Sequence, residues 1–215
     1  MPSVQLVLAS ASPARLATLR SAGVEPRVVV SEVDEPAVVE RARATYAELE
    51  PADIALLLAR AKCEDVAGRP DAGDALVLGC DSVLELDGQD YGKPEDTATA
   101  IARWQDMRGH TGVLHTGHWL IDDREESTGA TFGVTCSTVV HFADLNDSEI
   151  AAYVATGEPL WVAGGFTVDG LGGAYVTAIE GDFHNVVGVS LTTLRDLLAR
   201  IDVPWHELWA SSSPT

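Results

Sequence analysis

Three short stretches of the sequence carry residue types suited to holding a phosphate and moving a proton. The first is Ser10-Ala11-Ser12-Pro13-Ala14-Arg15, which follows the apolar run Val4–Ala9 and opens a helix-like stretch that reaches Ala22 and stops at Gly23. Ser12 suits a helix N-cap and Pro13 the first helical position. A strand that runs straight into a helix leaves free backbone N–H groups at the positive end of the helix dipole. With Ser10, Ser12 and Arg15 gathered there, the turn would make a phosphate cradle. The same string also suits a plain cap with a surface arginine, and alone it does not separate the two.

The second stretch ends in Asp81, directly after the apolar run Ala75–Cys80. A carboxylate emerging from a buried strand is costly unless it is paired or holds a cation. The position suits a metal ligand or a general base, and equally a structural aspartate capping the next turn. The third is Gly92-Lys93-Pro94, on the return of a hairpin signalled by Asp87-Gly88, from which the ammonium could reach the same place. Lys62 lies on the helical stretch before the Asp81 strand. Of the fourteen basic residues only Lys62 and Lys93 are lysines. In so arginine-rich a chain a retained lysine points to a need for a compact ammonium, against the plain alternative of a solvated side chain.

Other motifs lead nowhere. His110, His115 and His118 look like a cluster, but His115 and His118 are an odd number of residues apart and would face opposite sides of a strand. No zinc spacing is present. Gly170-Leu171-Gly172-Gly173 lacks the Lys-Ser/Thr of a P-loop and reads as a turn. The five tryptophans are scattered and are assigned to core or rim packing.

The elements that must position these residues alternate between strand and helix patterns. Strands are expected at Val4–Ala9, Pro26–Val33, Ala75–Cys80, Gly112–Ile121, Thr131–Phe142 and near Ala174–Glu180. Helices are expected from Pro13, from Asp34-Glu35-Pro36, over Pro51–Ala67, over Pro94–Arg108 with Ala98, Ile101 and Trp104 inward, over Asn146–Thr156, and over Leu191–Ile201. The run Ala75–Cys80 has the composition of a buried central strand. The order gives an α/β fold, a mixed twisted sheet flanked by helices. It reads as one domain over residues 1–210, two lobes about a central cleft, with a loose tail from Ser211 to Thr215.

Composition narrows the class. A chain of 215 residues with 46% hydrophobic content can bury a real core without disulfides or metal staples. Three well-separated cysteines exclude a disulfide framework and fit a reducing cytoplasm. No apolar run is long enough for a membrane span, and the N-terminus lacks the features of a signal peptide. A net charge of −19 argues against duplex nucleic acid as a partner, while a small anion remains a suitable ligand if the cations are gathered in one place.

Together these pieces resemble the Maf proteins, nucleoside triphosphate pyrophosphatases once described as septum-formation inhibitors. The resemblance runs from about Leu6 to about Leu198. It rests on Leu8-Ala9-Ser10-Ala11-Ser12-Pro13-Ala14-Arg15, Val33-Asp34-Glu35, Leu58-Ala59-Arg60-Ala61-Lys62, Gly79-Cys80-Asp81-Ser82, Gly92-Lys93-Pro94, His115-Thr116-Gly117, Tyr153–Pro159, Ala163-Gly164-Gly165-Phe166 and Gly181–Gly188. The stretch from Ala163 to Gly173 looks most like the high-GC actinobacterial branch. The resemblance implies a cleft of the Maf/ITPase type. There a nucleoside triphosphate would be cut to the monophosphate and pyrophosphate with help from a divalent cation, Mg2+ or Mn2+, clearing modified or surplus nucleotides. It implies that Ser10, Ser12, Arg15, Lys62 and Ser82 bind substrate, that Glu35 and Asp81 hold the metal, that Asp81 accepts the proton and that Lys93 is the catalytic lysine. A homodimer is implied in the same way. The alternative within the resemblance is a nucleotide-binding regulator of cell division in which hydrolysis is incidental.

Departures from the family bear on the base. The thymidine/uridine-type branch has an arginine at Ala14, a threonine at Ser82 and a glutamine at Asp169. None of these is kept, so Asp169 is expected to favour guanine or a methylated guanine, whose edge offers N–H donors. The usual family histidine falls on Gly112, with His110 or His115 as the substitute.

Overall fold

The fold comes from a computed structural model that describes residues 4–46, 48–127 and 129–210. The expected tail, Ser211 to Thr215, lies outside the described residues. In chain order the elements are β1 (Leu6–Leu8), α1 (Pro13–Ser21), β2 (Arg27–Val28), α2 (Glu35–Thr45), α3 (Pro51–Val66), β3 (Leu76–Leu86), β4 (Gln89–Tyr91) and α4 (Thr97–Met107). Then follow β5 (Thr111–Asp122), β6 (Thr131–Phe142), α5 (Asp147–Ala155), β7 (Val176–Glu180), α6 (Phe183–Val187) and α7 (Leu191–Ala199). Short 3-10 turns fill Glu158–Trp161, Ala163–Gly165 and Leu171–Tyr175.

The sheet order is β2-β1-β3-β5-β6-β7, with β4 also pairing β3. β1 runs parallel to both β2 and β3, and the other pairs are antiparallel. This is the expected mixed sheet. It carries helices on both faces because its strands alternate two apolar faces. On one face Leu76, Leu78 and Cys80 of β3 pack with Leu19 of α1 and with Leu194, Leu197 and Leu198 of α7. Farther along the same face, Leu84 and Leu86 join Trp104 of α4, Ile150 and Tyr153 of α5, and Phe142 of β6 in a second cluster. The opposite face is covered by α3, whose Cys63 and Val66 meet Val77 and whose Ile54, Ala55 and Leu58 meet Val83.

Local signals explain the boundaries. Ser12 caps α1 and Pro13 is its first residue; Asn146 and Glu149 form a reciprocal capping box on α5. Asp87 and Gly88 have φ of 50° and 77°, so the β3–β4 hairpin turns in the left-handed region that Asp-Gly favours.

Three expectations need correction. The second strand is only Arg27–Val28, because β1, its sole partner in the sheet, is itself three residues long. The third strand does not end at Cys80 but continues through Asp81 to Leu86, because β5 pairs with it through Glu85 and supplies the ladder bonds that let a carboxylate sit mid-strand. In α4 the buried residues are Ala100, Trp104 and Met107 while Ala98 is exposed, since the helix begins at Thr97 and its inward stripe is set by Trp104.

One feature of the sheet matters for function. Along one edge, β3 pairs with β1 as far as Leu78 and with β4 from Leu84, so the segment between has no neighbouring strand there. This notch is bounded by the Ser10–Arg15 turn at the end of β1 and by Gly92–Pro94 after β4. Asp81 lies within it. A crevice at the carboxyl end of a parallel strand is where open α/β sheets bind ligands.

Candidate active site

Arg15 is folded inward from the first turn of α1 and is only 8% exposed. Its Nε donates to the Gly188 carbonyl at 2.7 Å, and its terminal nitrogens donate to Ser10 Oγ at 3.1 Å and Ser82 Oγ at 3.0 Å. Three of the five guanidinium N–H donors are used this way, which leaves two for an anion. Gly188 has φ of 124°, and a Cβ there would stand 3.1 Å from Arg15 Nε. The positive φ favours glycine, and a side chain there would also crowd the guanidinium. Ser82 Oγ also lies 2.9 Å from Thr116 Oγ1, which donates to the Asn185 carbonyl at 3.0 Å. Ser12 is occupied as the cap, its Oγ accepting from Arg15 N at 3.4 Å.

Behind this row lies a charged triad. Lys62 Nζ contacts Asp81 Oδ1 at 2.5 Å and Glu35 Oε1 at 2.8 Å. Lys62 and Asp81 are each 8% exposed. Glu35 opens α2 directly after its cap, Asp34, whose side chain accepts from Ala37 N at 3.1 Å. Close packing of α3 on the sheet delivers the ammonium. Gly79 and Gly117 have no Cβ, and one built at either would run into the α3 backbone at Ala59 or Ala55.

The two acids are pushed apart in acidity. Burial raises the Asp81 carboxyl above the ordinary aspartate value, with Lys62 and Arg15 opposing it. Burial also works to raise Glu35, but Lys62, with Lys93 and Arg15, outweighs it and holds that carboxyl low. In such a split the carboxylate of higher pKa is the more basic of the pair, here Asp81.

Lys93 stands on the other bank of the notch. It is exposed and forms no hydrogen bond or ion pair among the described residues, yet its charge reaches Glu35. Of the expected residues, then, Ser10, Arg15 and Ser82 form one bonded group and Glu35, Lys62 and Asp81 another, with Lys93 facing them at longer range. Asp169 is not joined to either. It lies exposed in the bend after Val168, without a hydrogen bond among the described residues.

The histidines divide as their spacing requires. His118 is buried, donating from Nδ1 to the Thr116 carbonyl at 3.0 Å and accepting at Nε2 from Ser190 N at 2.8 Å. Burial lowers its pKa to about 4, so it is neutral and structural. His115 faces the other way, its nitrogens 2.8 Å from Ser137 Oγ and 2.8 Å from Glu85 Oε2, and His110 is exposed.

Among the described residues no group of three or more His, Cys, Asp or Glu side chains forms a metal centre. Glu35 and Asp81 nevertheless fit a hard cation. Each is an oxygen donor whose second oxygen, Oε2 or Oδ2, is not taken by Lys62. Magnesium is commonly held by one or two carboxylates, with waters and substrate phosphates completing the shell.

Several contributors escaped the reading of the sequence. Thr116, Asn185 and Gly188 fell in quoted motifs but had no assigned part. Gly79 and Gly117 could have been found, since a glycine inside a strand pattern marks close approach of another backbone.

The family model for Maf-like proteins matches residues 5–201. A nucleoside triphosphate pyrophosphatase of Leifsonia xyli is 52% identical over 96% of this chain and 97% of its own. Proteins of the same description from Streptomyces coelicolor and Salinispora tropica are 52% and 53% identical, covering 97% and 99% of this chain and 96% and 90% of theirs. Among solved structures, a nucleoside-triphosphatase/dITP/XTP pyrophosphatase of Mycobacterium abscessus is 16% identical at a TM-score of 0.36, over 66% of this chain and 76% of that one. That overlap is too loose to add weight.

Proposed function

The chain belongs to the Maf-like family, and we propose that it is a nucleoside triphosphate pyrophosphatase working at the notch beside β3. The observation that carries this reading is the Lys62 ammonium held between Glu35 and Asp81, within reach of the charge of Arg15. A site built only to bind an anion has no use for a buried carboxylate of raised pKa. One that must take a proton from water does.

In the reaction, water attacks the α-phosphorus and gives its proton to Asp81. The bond from the α-phosphorus to the bridging oxygen breaks, and pyrophosphate leaves with the electron pair. Arg15 and Lys62 on one bank and Lys93 on the other stabilise the charge that develops on the departing group. Ser10 and Ser82 orient the guanidinium. A divalent cation held by Glu35 and Asp81 would neutralise phosphate charge when bound. We place the enzyme in the cytoplasm and as a homodimer on family resemblance; no described helix is long and apolar enough to cross a membrane.

The test is a pyrophosphate-release screen over canonical and modified triphosphates, with magnesium, with manganese and with neither. Release that needs a metal and favours guanine supports the reading, with Asp169→Ala removing the base preference. Binding without turnover in saturating metal would leave only a nucleotide-binding regulator.

A further inference from the structure

The Lys93 side chain has no partner of its own among the described residues, so its place depends on the main chain that carries it. That main chain is open on the side before the lysine. A Cβ at Gly92 would meet nothing within 4 Å. Two residues after Lys93, Glu95 holds φ of 69°, the left-handed region that costs a side-chain-bearing residue roughly 1 kcal/mol or more. A strained turn keeps one conformation only if its surroundings tie it down.

Adjacent residues of α4 supply the ties. Arg103 donates through its guanidinium to the Gly92 carbonyl, which also accepts from Gly164 N at 3.1 Å. The guanidinium lies over the Tyr91 ring, 5.5 Å from its centre, and Tyr91 is the last residue of β4, opposite Leu84 of β3. Trp104 Nε1 donates to the Gly165 carbonyl at 2.8 Å, which fixes the segment that supplies the second donor. Pro94 is buried against Gly165. Arg103 therefore closes a ring of contacts from the ordered α4 to the residue before Lys93.

We infer that Arg103 is a positioning residue for Lys93. It holds the Gly92 carbonyl so that the neighbouring ammonium faces the phosphate-binding bank of the notch. The inference rests on the role proposed above for Lys93. Lysine in place of Arg103 keeps the charge but loses the planar fork that stacks on Tyr91 while donating to Gly92.

The test compares wild type, Arg103→Ala, Arg103→Lys, Lys93→Ala and the Arg103→Ala/Lys93→Ala double variant, on whichever triphosphate the screen above ranks first. Arg103→Ala is expected to lower kcat by roughly ten- to a hundredfold with KM little changed. Arg103→Lys, which keeps the charge at a partly exposed position and should not disturb folding, falls between, with Tm unmoved. In the Lys93→Ala background, removing Arg103 should cost nothing further. Arg103 variants within twofold of wild type, or an equal fall with and without Lys93, would overturn the positioning role. If Lys93→Ala itself keeps full activity, the lysine assignment fails and the inference falls with it, a result distinct from an inert Arg103.

Discussion

Asp81 and Gly117 are direct partners across the β3–β5 ladder, and the missing side chain at Gly117 is what allows the Asp81 carboxylate to meet Lys62. A Cβ at Gly117 would enter the space of the Ala55 carbonyl and lie 2.6 Å from Leu56 Cα. The α3 helix would then have to lift, and Lys62, less than two turns beyond Leu56, would lift with it. The ion pair at the site is thus a consequence of how closely a helix can lie on a sheet.

Gly117→Ala should therefore act on both stability and activity. Overpacking against a backbone costs about 1–3 kcal/mol, and chemical denaturation will show whether the loss is of that size. Pyrophosphate release should fall more than the loss of folded protein explains, because the Lys62–Asp81 contact opens in the molecules that remain folded.

Replacing Asp81, the proposed base, is a cleaner cut. Asp81→Asn keeps the shape, and Lys62 retains Glu35 at 2.8 Å, so the fold should survive. Turnover should drop by roughly a hundred- to ten-thousandfold. The wild-type rate should decline on acidification as Asp81 takes up a proton. The residual activity of Asp81→Asn should lack that limb.

Lys62→Met removes the shared cation and leaves a buried carboxylate without its partner, a change that typically costs about 3–5 kcal/mol. The deficit should shrink as the pH is lowered. The folded-state value of Asp81, already raised, climbs further, so below it the folded protein binds a proton that the unfolded chain binds only at lower pH. A pH-independent deficit would count against burial as the cause.

His118 gives the opposite sign. Its pKa is about 4 when folded against 6.5 when free, so between these values the unfolded chain binds more protons. Stability is present in full above 6.5 and drains as the pH falls towards 4. The loss is on the order of 3 kcal/mol at about 1.4 kcal/mol per pH unit. Denaturation midpoints at pH 7.5, 6 and 5 would show the slope, and His118→Asn should flatten it.

Much of this was legible in the residues. Ser12-Pro13 announced the start of α1 and Asp87-Gly88 the β3–β4 turn, because caps and tight turns are settled by a few neighbours in the chain. The scarcity of lysine singled out Lys62 and Lys93, the apolar run before it singled out Asp81, and the family motifs named Glu35. What only the tertiary structure decided were the pairings over long separations. Lys62 bridges two acids that lie 27 residues before and 19 residues after it. Asp81 sits inside a strand rather than at its end, Arg15 reaches Ser82 and Gly188, and Arg103 grips the turn before Lys93. Each depends on strand register and on how near a helix packs to the sheet, and these are fixed by the whole core rather than by any local run of residues.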